Sequence, residues 1–144
     1  MKKFEEYIEK GKVKKVVPDL SRAKSIIEEA KNRKDFLRLM KTNIQLNDST
    51  AIFFIENVYD LLIDLIRAKM FQDGYKAVGH GAHEIEIFYM NQLGFSEKQT
   101  MFMNSLRENR NKIKYYGQRF DAEYAKITLS FLEEMYGKLL GVIK

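Results

Sequence analysis

From Ala51 to Phe71 the chain is apolar on nearly every side of a helix, and no other feature limits its possible folds so strongly. A helix with one apolar stripe lies on a surface, whereas one that is apolar all round must be enclosed by other elements. An ordinary membrane span is excluded by Glu56, Asp60 and Asp64, which interrupt the stretch and are costly in hydrocarbon. The expectation is a central helix packed among other helices. Its three carboxylates lie on one stripe that Arg67 continues, and buried carboxylates are stable only against cations.

The rest of the chain supplies those neighbours. After the single proline, Pro18, the residues Leu20, Ala23, Ile26, Ile27 and Ala30 recur at helical spacing. Asp19 is placed to cap this helix, and Lys31 to Lys34 form its basic end. A shorter helical continuation holds Phe36, Leu37 and Met40, followed by the polar run 43–50. Gly74, Gly79 and Gly81 break the chain before a helix over 82–93, which Gly94 ends. Ser96 and Gln99 have the spacing of a capping box and open a helix through Phe102, Leu106 and Ile113. Asp121 caps a last helix carrying Ile127, Phe131, Leu132, Met135 and Leu139. No segment alternates polar and apolar residues, so no sheet is expected. The predicted fold is an all-α, up-and-down bundle of four to five main helices with short accessory helices, one domain over 1–144.

A chain of 144 residues that is 45% hydrophobic is long enough for one core. Cysteine is absent, which removes disulfides and thiolate zinc sites, and a cytoplasmic location is the default. Met1 to Lys15 is dotted with Lys and Glu and lacks the apolar run of a signal peptide. The net charge of +5 leans towards anionic partners.

That charge is concentrated. From Arg107 to Arg119 five basic residues stand against one acidic residue, a local charge of +4. On a helix Arg107, Arg110 and Lys114 share a stripe, and Asn111 lies one turn before Tyr115. Guanidinium groups grip phosphate bidentately, an asparagine amide orients a phosphate or base edge, and tyrosine rings stack on unpaired bases. RNA or a nucleotide suits such a patch. Its alternative is a solvated face paired with carboxylates elsewhere.

Arg110-Asn111, three residues, then Tyr115-Tyr116-Gly117 resembles the motif of HEPN domains, small helical bundles in which Arg, usually followed by Asn, precedes a His by four to six residues. Further stretches resemble prokaryotic members: Phe4 to Lys10, Lys14 to Ile27, Val58-Tyr59-Asp60, and Gly74-Tyr75-Lys76 leading to His83-Glu84. The resemblance implies a homodimer that brings two Arg-Asn motifs together in a basic groove. In members that are metal-independent RNases, the Arg positions the scissile phosphate and the His performs acid-base chemistry, leaving a 2′,3′-cyclic phosphate. Here Tyr115 stands at the His position, or Lys114 in the longer register from Arg107. A phenol with a pKa of about 10 is a poor base at neutral pH. Phosphate binding needs only the cations and the amide, so a binder is the first expectation. The alternatives are an endoribonuclease using Arg110 with Tyr115 or Lys114, and a non-catalytic structural module.

The resemblance also implies a partner, a minimal nucleotidyltransferase in a toxin-antitoxin pair that modifies a tyrosine near the motif. Tyr115 and Tyr116 are acceptors by position, although the usual acceptor site falls on Gly117. It further implies that an earlier acidic residue, Asp60 or Glu56, supports Arg110. The competing reading is a solvent-facing strip with an Asp64 to Arg67 pair. His80, His83 and Glu84 lie close together but lack the His-Glu-x-x-His order of zinc proteases. A helix-start histidine pair is the better account, and neither a metal nor a cofactor is predicted. The glycines of 74–81 do not form a dinucleotide-binding turn, and the lysines of 10–15 read as a solvated connector.

Overall fold

The computed structural model describes residues 3–143. Met1 and Lys2, which begin the Lys- and Glu-rich N-terminal stretch, and Lys144 lie outside the described residues. The elements in order are α1 (Lys3–Glu9), β1 (Val13–Lys15), α2 (Leu20–Asn43), α3 (Ala51–Asp73), β2 (Tyr75–Ala77), α4 (Ala82–Phe88), a 3₁₀ turn (Tyr89–Leu93), α5 (Glu97–Tyr116) and α6 (Ala122–Val142). The fold is an all-α bundle. Among the described residues no helix is long and apolar enough to cross a membrane.

The central position of α3 follows from its all-round apolar surface. Phe54, Ile55, Val58, Leu61, Leu62, Leu65 and Ile66 are all buried, and α2, α4, α5 and α6 each pack against it. Helix α6 closes the core with Phe131, Leu132, Met135 and Leu139, while Ile127 is exposed. Helix α5 starts at the capping box: Ser96 Oγ accepts from Gln99 N at 3.1 Å, and Gln99 Oε1 accepts from Ser96 N at 3.0 Å. Asp121 caps α6 by accepting from Tyr124 N at 2.9 Å. Both side chains satisfy amides that a helix start otherwise leaves unpaired.

Three expectations need correction. First, α2 is one unbroken helix over Leu20–Asn43 rather than a helix and a continuation, because no glycine or proline interrupts it. Its apolar stripe is also narrower, since Leu20 and Phe36 are exposed. Second, the segment 82–93 is a short α-helix followed by a 3₁₀ turn. Third, a two-stranded antiparallel ribbon exists, pairing Val13 with Ala77 and Lys15 with Tyr75. Each strand has three residues, too few for alternation to register in the sequence, and part of the expected lysine-rich connector lies in it.

The ribbon depends on Gly74. This residue ends α3 with φ +82°, and its carbonyl accepts from Val16 N at 2.8 Å. A Cβ there would sit 2.6 Å from the Val16 carbonyl oxygen, so both the backbone angle and the space require glycine.

A candidate phosphate-binding cleft between helices α4 and α5

Two elements remote in sequence face each other across an open cleft of about 330 Å³, within the range of small-ligand sites, roughly 300–1,000 Å³. Helix α5 contributes Arg107, Arg110, Asn111 and Tyr115. The start of α4 and the turn before it contribute His80, His83 and Glu84.

Helix α4 is too short to hold its position alone, and a buried ion pair fixes it. Arg67 of α3 donates from Nε and Nη2 to the two oxygens of Glu86 at 2.8 and 3.2 Å. This fork geometry is the strongest form of the pairing, and it makes the buried Glu86 carboxylate tolerable. Glu84, two residues earlier, joins three elements. Its Oε1 accepts from the Tyr7 hydroxyl at 2.8 Å and its Oε2 from Arg107 Nη2 at 3.1 Å. Burial, followed by the Glu84 carboxylate, pushes the Tyr7 phenol well above its ordinary range, so Tyr7 remains a donor at any physiological pH. Arg107 also donates from Nε to Asn104 Oδ1 at 3.1 Å.

Arg110 is held from the other side. Its Nη2 lies 3.2 Å from Asp60 Oδ1, and its guanidinium sits 5.4 Å from the centroid of the Tyr59 ring, within cation–π distance. Asp60 is therefore the carboxylate that supports Arg110. Glu56, one turn earlier, forms no ion pair or hydrogen bond among the described residues. Asp64 pairs instead with Arg67 at 3.5 Å and Arg33 at 3.7 Å, so the acidic stripe divides between two tasks. Burial raises the Asp64 carboxyl above the usual range, although both arginines oppose this.

Three buried side-chain polar atoms lack a hydrogen-bond partner among the described residues: Arg33 Nε, Asn91 Oδ1 and Arg110 Nε. Only Arg110 borders this cleft. A buried donor left unmade costs about 1–3 kcal/mol, and such atoms call for an explanation. The Arg110 Nε is enclosed by protein, so its missing partner is a cost within the fold and not a donor open to the cleft.

The other expected site residues separate. Tyr115 lines the cleft and is 65% exposed, while Tyr116 is 81% exposed and lies outside it. Lys114 shares the helix but not the cleft, its ammonium lying 5.9 Å from the Tyr115 ring centroid. Sequence reasoning set His80, His83 and Glu84 aside as a helix start, whereas they form the wall opposite the arginines. The only signal for this was their position after paired glycines. Gly79 and Gly81, both at φ +80°, turn the chain so that His80 and His83 reach one opening. The Nδ1 atom of His83 lies 3.2 Å from the Tyr59 hydroxyl. Partial burial of that ring edge holds its pKa below the ordinary value.

Among the described residues no group of three or more His, Cys, Asp or Glu side chains is arranged to hold a metal ion. The chain matches no protein-family model, no curated protein and no solved structure.

Proposed function

We propose that this protein is a HEPN-like domain that binds the phosphates of RNA or a nucleotide in the cleft between α4 and α5. The observation that carries this reading is the convergence of two guanidinium groups, an asparagine amide and two imidazoles on one opening. Phosphate recognition calls for these donors, and the exposed Tyr115 ring adds a stacking face. Arg110 is pre-oriented by Asp60 and Tyr59, which lowers the ordering cost of binding.

On the same reading the protein is a cytoplasmic homodimer paired with a minimal nucleotidyltransferase in a toxin-antitoxin system. The exposure of Tyr115 and Tyr116 suits them to modification. Finding a nucleotidyltransferase reading frame beside this one would support the pairing, and finding none would count against it.

A competing reading is a structural module whose basic stretch serves ion pairs, and the Asp60 and Glu84 contacts of the two arginines favour it. Fluorescence anisotropy of a labelled single-stranded ribo-oligomer over a salt series separates the two. The binder loses affinity as salt rises, and Arg110→Ala flattens the salt slope by about one unit. No binding at low salt, or an affinity unchanged by Arg110→Ala, refutes the proposal.

A further inference from the structure

The ribbon of β1 and β2 carries a charge pattern that its own stability does not explain. Lys14 stands directly across from Lys76 in the antiparallel register, and both are exposed. Like charges directly opposite each other on one sheet face are destabilising. Because side chains alternate between faces along a strand, Lys12 and Val16 share this outer face with Lys14. The inner face is occupied, since Val13 is buried and Tyr75 meets Phe4 of α1 edge-on at 5.7 Å. No carboxylate among the described residues pairs with Lys12, Lys14 or Lys76.

The hydrogen-bond register shows which backbone groups are already used. Val78 N donates to Lys12 O at 3.0 Å and Val16 N donates to Gly74 O at 2.8 Å, so Lys12, Lys14 and Val16 face β2. In an antiparallel pair the intervening residues turn their N–H and C=O groups away from the partner, which places those of Val13 and Lys15 on the outer edge of β1. The sheet has only two strands among the described residues. β2 packs against α3 and α4, whereas β1 packs against β2 and α1, with α1 beneath the inner face. The outer edge of β1 is therefore the open one, and Val17 at its end is 85% exposed.

We propose that the β1 edge docks an acidic, extended segment of a partner protein, which joins the ribbon as a third, antiparallel strand. The added backbone exchanges hydrogen bonds with Val13 and Lys15. Its carboxylates, at alternate positions, stand beside Lys12 and Lys14 on the outer face, and Lys76 adds a longer-range attraction. Charge also selects against the wrong strand. Lysines on an edge discourage self-pairing, because a second copy of β1 would set lysine against lysine, while an acidic strand turns the same feature into attraction. Pro18 ends the docking edge by lacking an N–H. RNA would meet the charges but cannot exchange the paired backbone hydrogen bonds that a strand edge offers.

The test titrates short fluorescent peptides that alternate glutamate and valine into the full chain, read by anisotropy. The expected result is saturable binding that weakens as salt rises and is at least about tenfold tighter than that of a peptide with lysine in place of glutamate. N-methylation of the valine amides, which face Val13 and Lys15, abolishes binding, whereas methylation of the glutamate amides, which face away, leaves affinity within about threefold. Lys14→Glu separates docking from folding. It removes the like-charge pair with Lys76, so the melting temperature rises by about 1–3 °C, while peptide affinity falls at least about tenfold. Lys15→Pro deletes an outward N–H without touching a ribbon bond and weakens binding more than Lys15→Ala does. Equal binding by the two methylated peptides shows attraction by charge alone and overturns strand addition. Absence of binding at low salt overturns the proposal outright. Should an RNA oligomer of equal charge bind more tightly than the peptide and lose affinity in Lys14→Glu, the face belongs to nucleic acid and the proposal fails.

Discussion

Removing Asp60 and Arg110 singly and together measures how firmly the cleft is organised. At 3.2 Å and an effective dielectric near 20, the Coulomb attraction is about 5 kcal/mol. Most of that is offset, because both groups leave water and both side chains lose freedom. With 14% and 29% of the two side chains exposed, the pair lies between a surface bridge, about 0–1 kcal/mol, and a buried one, where removing a partner costs about 3–5 kcal/mol. A coupling energy of about 1–2 kcal/mol follows. Asp60→Ala alone should cost about 2 kcal/mol, since it leaves a guanidinium whose Nε already lacks a partner. Arg33 is 3.9 Å from Asp60, so part of the Asp60→Ala cost comes from that weaker contact and cancels in the cycle. Urea unfolding followed by circular dichroism supplies the four stabilities. Additivity within about 0.3 kcal/mol would show that the two groups do not interact and would remove the basis for a pre-oriented Arg110.

Other perturbations test the frame around the site. Arg67→Met should destabilise the protein by about 3–5 kcal/mol in urea unfolding, because it strands the buried Glu86 carboxylate, whereas adding Glu86→Leu should recover most of the loss. Gly74→Ala should cost at least about 2 kcal/mol through its positive φ and the Val16 carbonyl; an unchanged melting temperature would contradict that packing. The native His83 pKa lies below the ordinary 6.5, so the unfolded chain takes up the proton first as pH falls. Its contribution to stability is constant above about pH 6.5, declines below that, and levels off below the native pKa. His83→Gln should flatten that part of the stability–pH curve, and an identical slope in the variant would count against the lowered pKa.

Helix content was legible where local chemistry decides it. Ser96 with Gln99 and Asp121 announce helix starts because a cap is a contact over three residues. The central role of α3 was legible because burial on all sides leaves no polar face in the sequence. Asp60 was one of two expected supports for Arg110, and periodicity alone did not separate it from Glu56, since both lie on the same stripe. The opposite wall of the cleft was not legible. Periodicity shows which face of a helix is apolar but not which faces meet, and Glu84 meets Arg107 because the buried Ile85, Ile87 and Phe88 together with the Arg67–Glu86 pair hold α4 in the bundle. The ribbon escaped notice for a related reason, its short strands being specified by Gly74 and Val16 rather than by alternation.

Residue-by-residue amide NMR of the isotope-labelled protein during titration with a short ribo-oligomer addresses the central claim most directly. The account predicts shifts concentrated at Gly81, His83, Arg107, Asn111 and Tyr115, lost in Arg110→Ala and weakened by added salt. Shifts spread over α2 and α6, with these residues unmoved, would contradict it.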